Sequence, residues 1–185
     1  MYKKRIADIL LERKLAGKGA VLIEGPKWCG KTTTASMQAK SILDLGDSEI
    51  LKESKSMIEI SPRKLLEGET PRLIDEWQTL PALWDSIRNL VDKRQEVSQF
   101  ILTGSSVLPE AYETTHSGTG RIGRIRMRPM SLYESEESNG RVSLKNLFEG
   151  KDFEVQENSL TIDDIAFLVC RGGWPASISM RREIA

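Results

Sequence analysis

Histidine, cysteine and surplus charge are all scarce in this chain. One histidine, His116, and two cysteines, Cys29 and Cys170, leave too few ligands for a zinc cluster and no disulfide framework, which suits a reducing compartment. Nor do Ser or Cys partners gather around His116 as a nucleophilic triad, so it reads as a polar loop residue. The 27 Lys and Arg balance 27 Asp and Glu, which excludes nucleic-acid binding through bulk positive charge alone. No apolar run approaches the ~18 residues that cross a bilayer. Lys3, Lys4 and Arg5 open the chain as a signal peptide might, but Asp8, Glu12 and Arg13 interrupt any apolar core after them. These absences lead us to expect a soluble cytoplasmic protein with no membrane partner.

What is present suffices for one sizeable core: 185 residues, of which 39% are apolar. Ile6, Ile9, Leu10 and Arg13 fall at helical spacing until Gly17 and Gly19 stop the pattern. Residues 1–18 carry six Lys or Arg against Asp8 and Glu12, a net 6 − 2 = +4 that either touches a DNA partner or solvates a helix. Ala20 to Glu24 is short, apolar and ended by Gly25-Pro26, which predicts a buried strand, followed by a helix from Lys31 to about Leu43. Further strands are expected at Met57 to Ile60, Arg72 to Asp75, Gln99 to Thr103 and Arg124 to Arg128, with helices over Pro62 to Glu67 and Leu80 to Arg94. Strands alternating with helices imply a parallel sheet covered on both faces, an α/β fold with five mostly parallel strands.

Beyond Pro129, Ser131 to Glu134 and Thr161 to Asp164 match capping boxes, Ser143 to Phe148 reads as a short helix, and Gly172-Gly173 end a longer one through Cys170. A last helix is expected near Pro175. We therefore expect an α/β core over 1–135 and, over 136–185, a helical lid or the start of a winged-helix-like part that is incomplete.

Gly25-Pro-Lys-Trp-Cys-Gly30-Lys31-Thr32 fits G-x-x-x-x-G-K-[ST], a pattern expected by chance about once in two hundred chains of this length. Lying between a strand and a helix, Gly25, Pro26, Lys27, Trp28, Cys29, Gly30, Lys31, Thr32 and Thr33 form a candidate phosphate cradle. Lys31 would reach the β and γ phosphates, and the Thr32 hydroxyl would take one position on Mg²⁺. A metal needs an acidic partner, and Arg72-Leu-Ile-Asp75-Glu76 ends an apolar strand in two carboxylates. Asp75 would hold Mg²⁺, and Glu76 would orient or deprotonate the attacking water; the plain alternative is two solvated carboxylates. Phe100 to Ser106 ends another strand in hydroxyls, with Thr103 first and Ser105 second as partners for the γ-phosphate or the water. Cys29, inside the loop, is either a sensitive thiol or a small residue that fits. Gly118 to Gly123 also satisfies G-x-G-x-x-G, but it precedes a strand, so a dinucleotide site is rejected.

Taken in order, Gly25 to Thr32, Ile74 to Gln78, Ile101 to Ser105, His116 to Arg121 and Arg128 to Glu134 resemble the AAA-like ATP-binding proteins of bacteria and archaea. That resemblance spans residues 1–178. It implies a three-layer P-loop NTPase core in which the Thr103 strand lies between the phosphate-loop strand and the Asp75 strand. It also implies a C-terminal domain of nuclease-like fold, expected to be absent here. Arg121 takes from it the part of an arginine finger acting on a neighbour's nucleotide, with Arg124 as the alternative, and Arg171 that of a contact to nucleotide from the lid side. The expected function is Mg²⁺-dependent ATP hydrolysis, with ATP as ligand and a homo-oligomer sharing its sites. The alternative is a nucleotide-gated module that hydrolyses little and acts on a protein or DNA partner. The guanine-reading Asn-Lys-x-Asp of GTPases does not occur, and 185 residues leave no room for a helicase's second lobe.

Overall fold

The computed structural model describes residues 2–104, 120–152 and 159–180. Five parallel strands, β1 (Ala20–Glu24), β2 (Ser41–Asp44), β3 (Arg72–Asp75), β4 (Phe100–Gly104) and β5 (Ile122–Arg126), form one sheet in the order β2-β3-β4-β1-β5. The Thr103 strand thus lies between the loop strand and the Asp75 strand, as the family resemblance implies. Register aligns Ile23 with Thr103 and Asp44 with Asp75, so the C-terminal ends of these strands share one edge of the sheet. In an open parallel sheet that edge is where ligands bind.

Alternation along the strands feeds two cores. Leu22, Ile74, Phe100 and Leu102 pack on one face against Trp84 and Ile87 of α5 (Leu83–Arg94), with Leu51 and Ile58 of α3 (Ser48–Ile60) at the margin. Trp77 lies 4.9 Å from Trp84, ring centre to ring centre, a contact worth about 1 kcal/mol beyond its buried area. Val21, Ile23, Leu73 and Ile101 pack on the other face against Ala7, Leu11 and Leu15 of α1 (Ile6–Leu15) and Ala35 of α2 (Lys31–Ser36). The helical spacing noted for Ile6, Ile9 and Leu10 is therefore the outward one, and these residues are exposed. Ala7, Leu11 and Leu15 make a second stripe at i, i+4 and i+8, whose small first residue lets the helix approach the sheet.

Two elements expected before β3 are corrected, and the last strand, expected over Arg124 to Arg128, runs over Ile122–Arg126. The helix expected through Leu43 ends at Ser36, and its place is taken by β2, an edge strand. Three consecutive threonines at 32–34 are poor helix formers, and β2 buries only Leu43, too little to stand out as an apolar run. Met57 to Ile60, expected as a strand, is the last turn of α3, which Asp47 caps by accepting from the amides of Glu49 and Ile50 at 2.8 and 3.2 Å. Leu51, Ser54 and Ile58 repeat at i, i+3 and i+7, so helical period outweighs a run that Glu59 already interrupts. The short α4 (Pro62–Leu65) follows.

The chain divides into two compact units, Arg5–Arg128 and, separately, residues 1–4 with 129–185. The smaller unit holds α6 (Leu144–Phe148) and α7 (Ile162–Arg171). Thr161 and Asp164 cap α7 reciprocally, at 3.1 Å from the Asp164 amide and 2.7 Å from the Thr161 amide. Ser131 and Glu134 make the same exchange, yet only turns follow, and turns also replace the helix expected near Pro175. Among the described residues no helix is long and apolar enough to cross a membrane.

Candidate functional site

The loop that leaves β1 turns at once, because the chain leaving β5 crowds it. A side chain at Gly25 would collide with the carbonyl oxygen of Met127. At the other end Gly30 caps α2 with φ of 99°, a left-handed conformation that favours glycine. Between them Trp28 also has positive φ, 66°, and stands exposed, whereas Cys29 turns its thiol into the core beside Ala7 and Leu11. A buried thiol of that kind is the small residue that fits, shielded from reagents. Lys31 is buried, and its Nζ donates to the carbonyls of Gly25 at 3.1 Å and Pro26 at 3.0 Å. Its ammonium thus lies inside the turn that a phosphate group would enter.

The loop and the acidic strand end meet. Thr32 Oγ1, in the first turn of α2, donates to Asp75 Oδ1 at 3.0 Å, and Thr103 Oγ1, at the end of β4, donates to the same oxygen. Asp75 is 6% exposed. Burial pushes its carboxyl above the usual aspartate range, the charges of Glu76 and Asp44 add to the rise, and the two threonine hydroxyls oppose it. A carboxylate and a hydroxyl on hard oxygen atoms, held together at the mouth of a phosphate loop, are the donor set that suits Mg²⁺. A cation there would relieve the cost that burial places on the Asp75 charge.

Glu76 follows with φ of 51°, a left-handed conformation that costs about 1 kcal/mol in a residue other than glycine. Its carboxylate accepts from Gln78 Nε2, and the other end of that amide, Oε1, is buried with no hydrogen-bond partner among the described residues. Sequence reasoning assigned no role to Gln78. The signal available was only its place two residues beyond Glu76, across a 3-10 turn over Trp77–Thr79 that nothing in the composition announces.

A family model described as an AAA domain, AAA_14, matches residues 17–136. The chain belongs to this AAA domain family. An AAA domain is a nucleotide-binding P-loop module, and within the matched residues the stretch from Gly25 to Thr32 carries the G-x-x-x-x-G-K-[ST] pattern. Uncharacterized proteins of Mycobacterium tuberculosis and Mycobacterium bovis are each 27% identical to it over 134 residues, 71% of this chain and 30% of theirs. The chain thus spans about a third of the length of the curated relatives it matches. Among solved structures, PCH-2 of C. elegans aligns with a TM-score of 0.42 at 15% identity, over 84% of this chain and 48% of that one. The FIGL-1 AAA domain, solved in complex with ADP, aligns at 0.40 and 14%, over 83% and 61%.

The arginines of this AAA domain are spread along β5 and beyond. Arg121 immediately precedes β5, and its carbonyl accepts from the Ala20 amide, so it lies at the edge where β1 begins, opposite the phosphate loop. Its guanidinium is ion-paired with Asp92 of α5. Arg124 pairs with Glu24 at the end of β1, at 3.0 Å. In the smaller unit the buried Arg171 holds Glu137 at 2.5 Å. Burial opposes ionisation of Glu137, but hydrogen bonds from Arg171 and Ser135 and the arginine's charge outweigh it and hold that carboxyl below its ordinary range. Ser105, Ser106, His116 and Gly118 lie outside the described residues.

Proposed function

We propose that this AAA domain binds ATP with Mg²⁺ and hydrolyses it. The observation that carries the reading is the hydrogen bond from Thr32 to Asp75, which brings the loop hydroxyl and the acidic strand end together at 3.0 Å. Lys31 would exchange the carbonyls of Gly25 and Pro26 for oxygens of the β and γ phosphates, and Thr32 and Asp75 would hold the metal. Bound there, Mg²⁺ supplies charge neutralisation to the β- and γ-phosphate oxygens. Glu76 would align a water molecule and take its proton as the new P–O bond forms and the bond to the β-phosphate oxygen breaks, releasing ADP. Thr103 keeps the Asp75 carboxylate in place.

Arg121 is assigned to the γ-phosphate of a neighbouring copy, where its guanidinium would offset growing charge once it leaves Asp92, and Arg124 is the alternative. The hydrogen bond from Gln78 to Glu76 favours a second reading, a nucleotide-gated module in which the base is held back and hydrolysis is slow. Partner proteins or DNA, and the nuclease-like C-terminal domain that the family resemblance implies, belong to the same proposal.

Calorimetry with Mg-ATP and phosphate-release assays test it together. Lys31→Ala should lose nucleotide binding, and Glu76→Gln should bind as the parent does with turnover down on the order of a hundredfold or more. Parental turnover by Glu76→Gln would refute the assignment of the base. A rate per subunit that climbs with protein concentration supports shared sites, and a flat one removes Arg121 from the reaction.

A further inference from the structure

Arg5 belongs by sequence to the basic opening of the chain, but it is 5% exposed. Its guanidinium donates through Nη1 to the carbonyl of Cys29 at 2.9 Å and through Nη2 to the carbonyl of Arg128 at 2.8 Å. One acceptor lies in the phosphate loop. The other is the last residue of the larger unit, of which Arg5 is the first. The backbone of Arg5 is fixed to α1, whose Asp8 carboxylate accepts from the Arg5 amide at 2.6 Å and whose Ala7 and Leu11 seat the helix on the sheet.

We propose that Arg5 is a positioning residue of the phosphate loop: by gripping the Cys29 carbonyl it holds the loop in its phosphate-accepting shape, and nucleotide affinity depends on that grip. Two features of the loop make the grip necessary. Trp28, next to Cys29, holds a left-handed conformation that an unrestrained chain would leave. Cys29 has its thiol fixed in the core, so fixing its carbonyl as well sets the orientation of the peptide plane that joins it to Gly30, whose N–H lies in the phosphate cradle. The planar guanidinium spans two carbonyls that are 24 and 123 residues away in sequence. A lysine ammonium at the end of a similar stem keeps the charge but cannot present two donors in that fork.

This inference rests on the nucleotide-binding reading of the loop, and the test separates the two. Arg5→Lys, and Arg5→Met as a second variant, are compared with Val91→Ala, a core truncation in α5 at the opposite edge of the sheet. All are measured where each is fully folded. In nucleotide-free protein, hydrogen exchange of the amides of residues 27–30 should quicken about tenfold in both Arg5 variants and stay parental in Val91→Ala. With Mg-ATP, dissociation constants should rise about fivefold to twentyfold in Arg5→Lys and remain parental in Val91→Ala. Parental loop exchange in Arg5→Lys overturns the inference whether or not nucleotide binds. So does parental affinity in Arg5→Lys, or an equal loss in Val91→Ala, which would tie affinity to stability alone. A parent chain that binds no Mg-ATP refutes the proposed function, and the affinity role of Arg5 with it.

Discussion

Replacing Thr103 by valine removes one hydroxyl and almost nothing else. The residue is fully buried at the end of β4, valine fills the same volume, and its β-branch suits a central strand, so neither a cavity nor a backbone effect is introduced. What is lost is the hydrogen bond to Asp75 Oδ1. A bond to a charged acceptor is worth about 1.5–3 kcal/mol, and the same bond to a neutral carboxyl about 0.5–1.5 kcal/mol. The cost must therefore depend on the protonation of Asp75. Burial raises the folded-state pKa of this group, so its contribution to stability is fully present below the unfolded value and is lost as pH rises through the folded one. Thr103 is one of the groups that hold that pKa down, so the valine variant raises it further and loses more on the way to neutral pH. Urea unfolding followed by tryptophan emission, run across pH, should show a deficit of about 2 kcal/mol on the alkaline side that shrinks to about 1 kcal/mol as pH falls to the ordinary aspartate range. A deficit that does not change across that range would refute the claim that this hydroxyl serves a charged carboxylate.

Other substitutions probe separate joints. Gly25→Ala drives a methyl group into the Met127 carbonyl and should cost about 1–3 kcal/mol. Adding Mg-ATP should then fail to raise its melting temperature as it raises the parent's, and a parental ligand shift would show that the loop tolerates a side chain there. Arg171→Met strands Glu137 and should destabilise by roughly 3 kcal/mol at neutral pH. Because the Glu137 pKa is depressed, the stability it contributes is present above its unfolded value and lost as pH falls through the folded one. The gap between Arg171→Met and parent should close on acidification, and denaturant titrations across that range check it.

Local chemistry made part of this molecule legible before any coordinates. The phosphate loop is readable because its requirements are all within eight residues: a glycine where Met127 crowds the turn, another where the chain goes left-handed, then Lys31 and Thr32. β1, β3 and β4 are readable because central parallel strands are buried on both faces and leave unbroken apolar runs. β2 is an edge strand with Ile42 exposed, so no such run marks it. Met57 to Ile60 misleads for the opposite reason, since a helix that buries only part of one face also yields short apolar clusters. Composition could not reveal Arg5, because its acceptors are set by tertiary structure and a cation near a terminus ordinarily means solvent. Gln78 escaped in the same way, its partner being chosen by a left-handed turn at Glu76.

These contacts describe a site whose charges are satisfied internally and at some cost. Lys31 rests on two neutral carbonyls, which hold an ammonium less strongly than phosphate oxygens do, so the loop gains on exchanging them. Asp75 keeps two hydroxyl donors but remains an acid whose charge burial disfavours, a cost that a divalent cation would relieve. If Mg-triphosphate binds as proposed, each of its halves would answer a deficit in one half of the site: the anion would improve on the carbonyls around Lys31, and the metal on the hydroxyls around Asp75. Free nucleotide without metal would bring its negative charge towards an unrelieved Asp75 carboxylate and should bind more weakly, whereas metal alone would meet only one carboxylate and one hydroxyl. On the proposed function the joint complex is the species this arrangement would select, because Thr32 would belong to both halves at once.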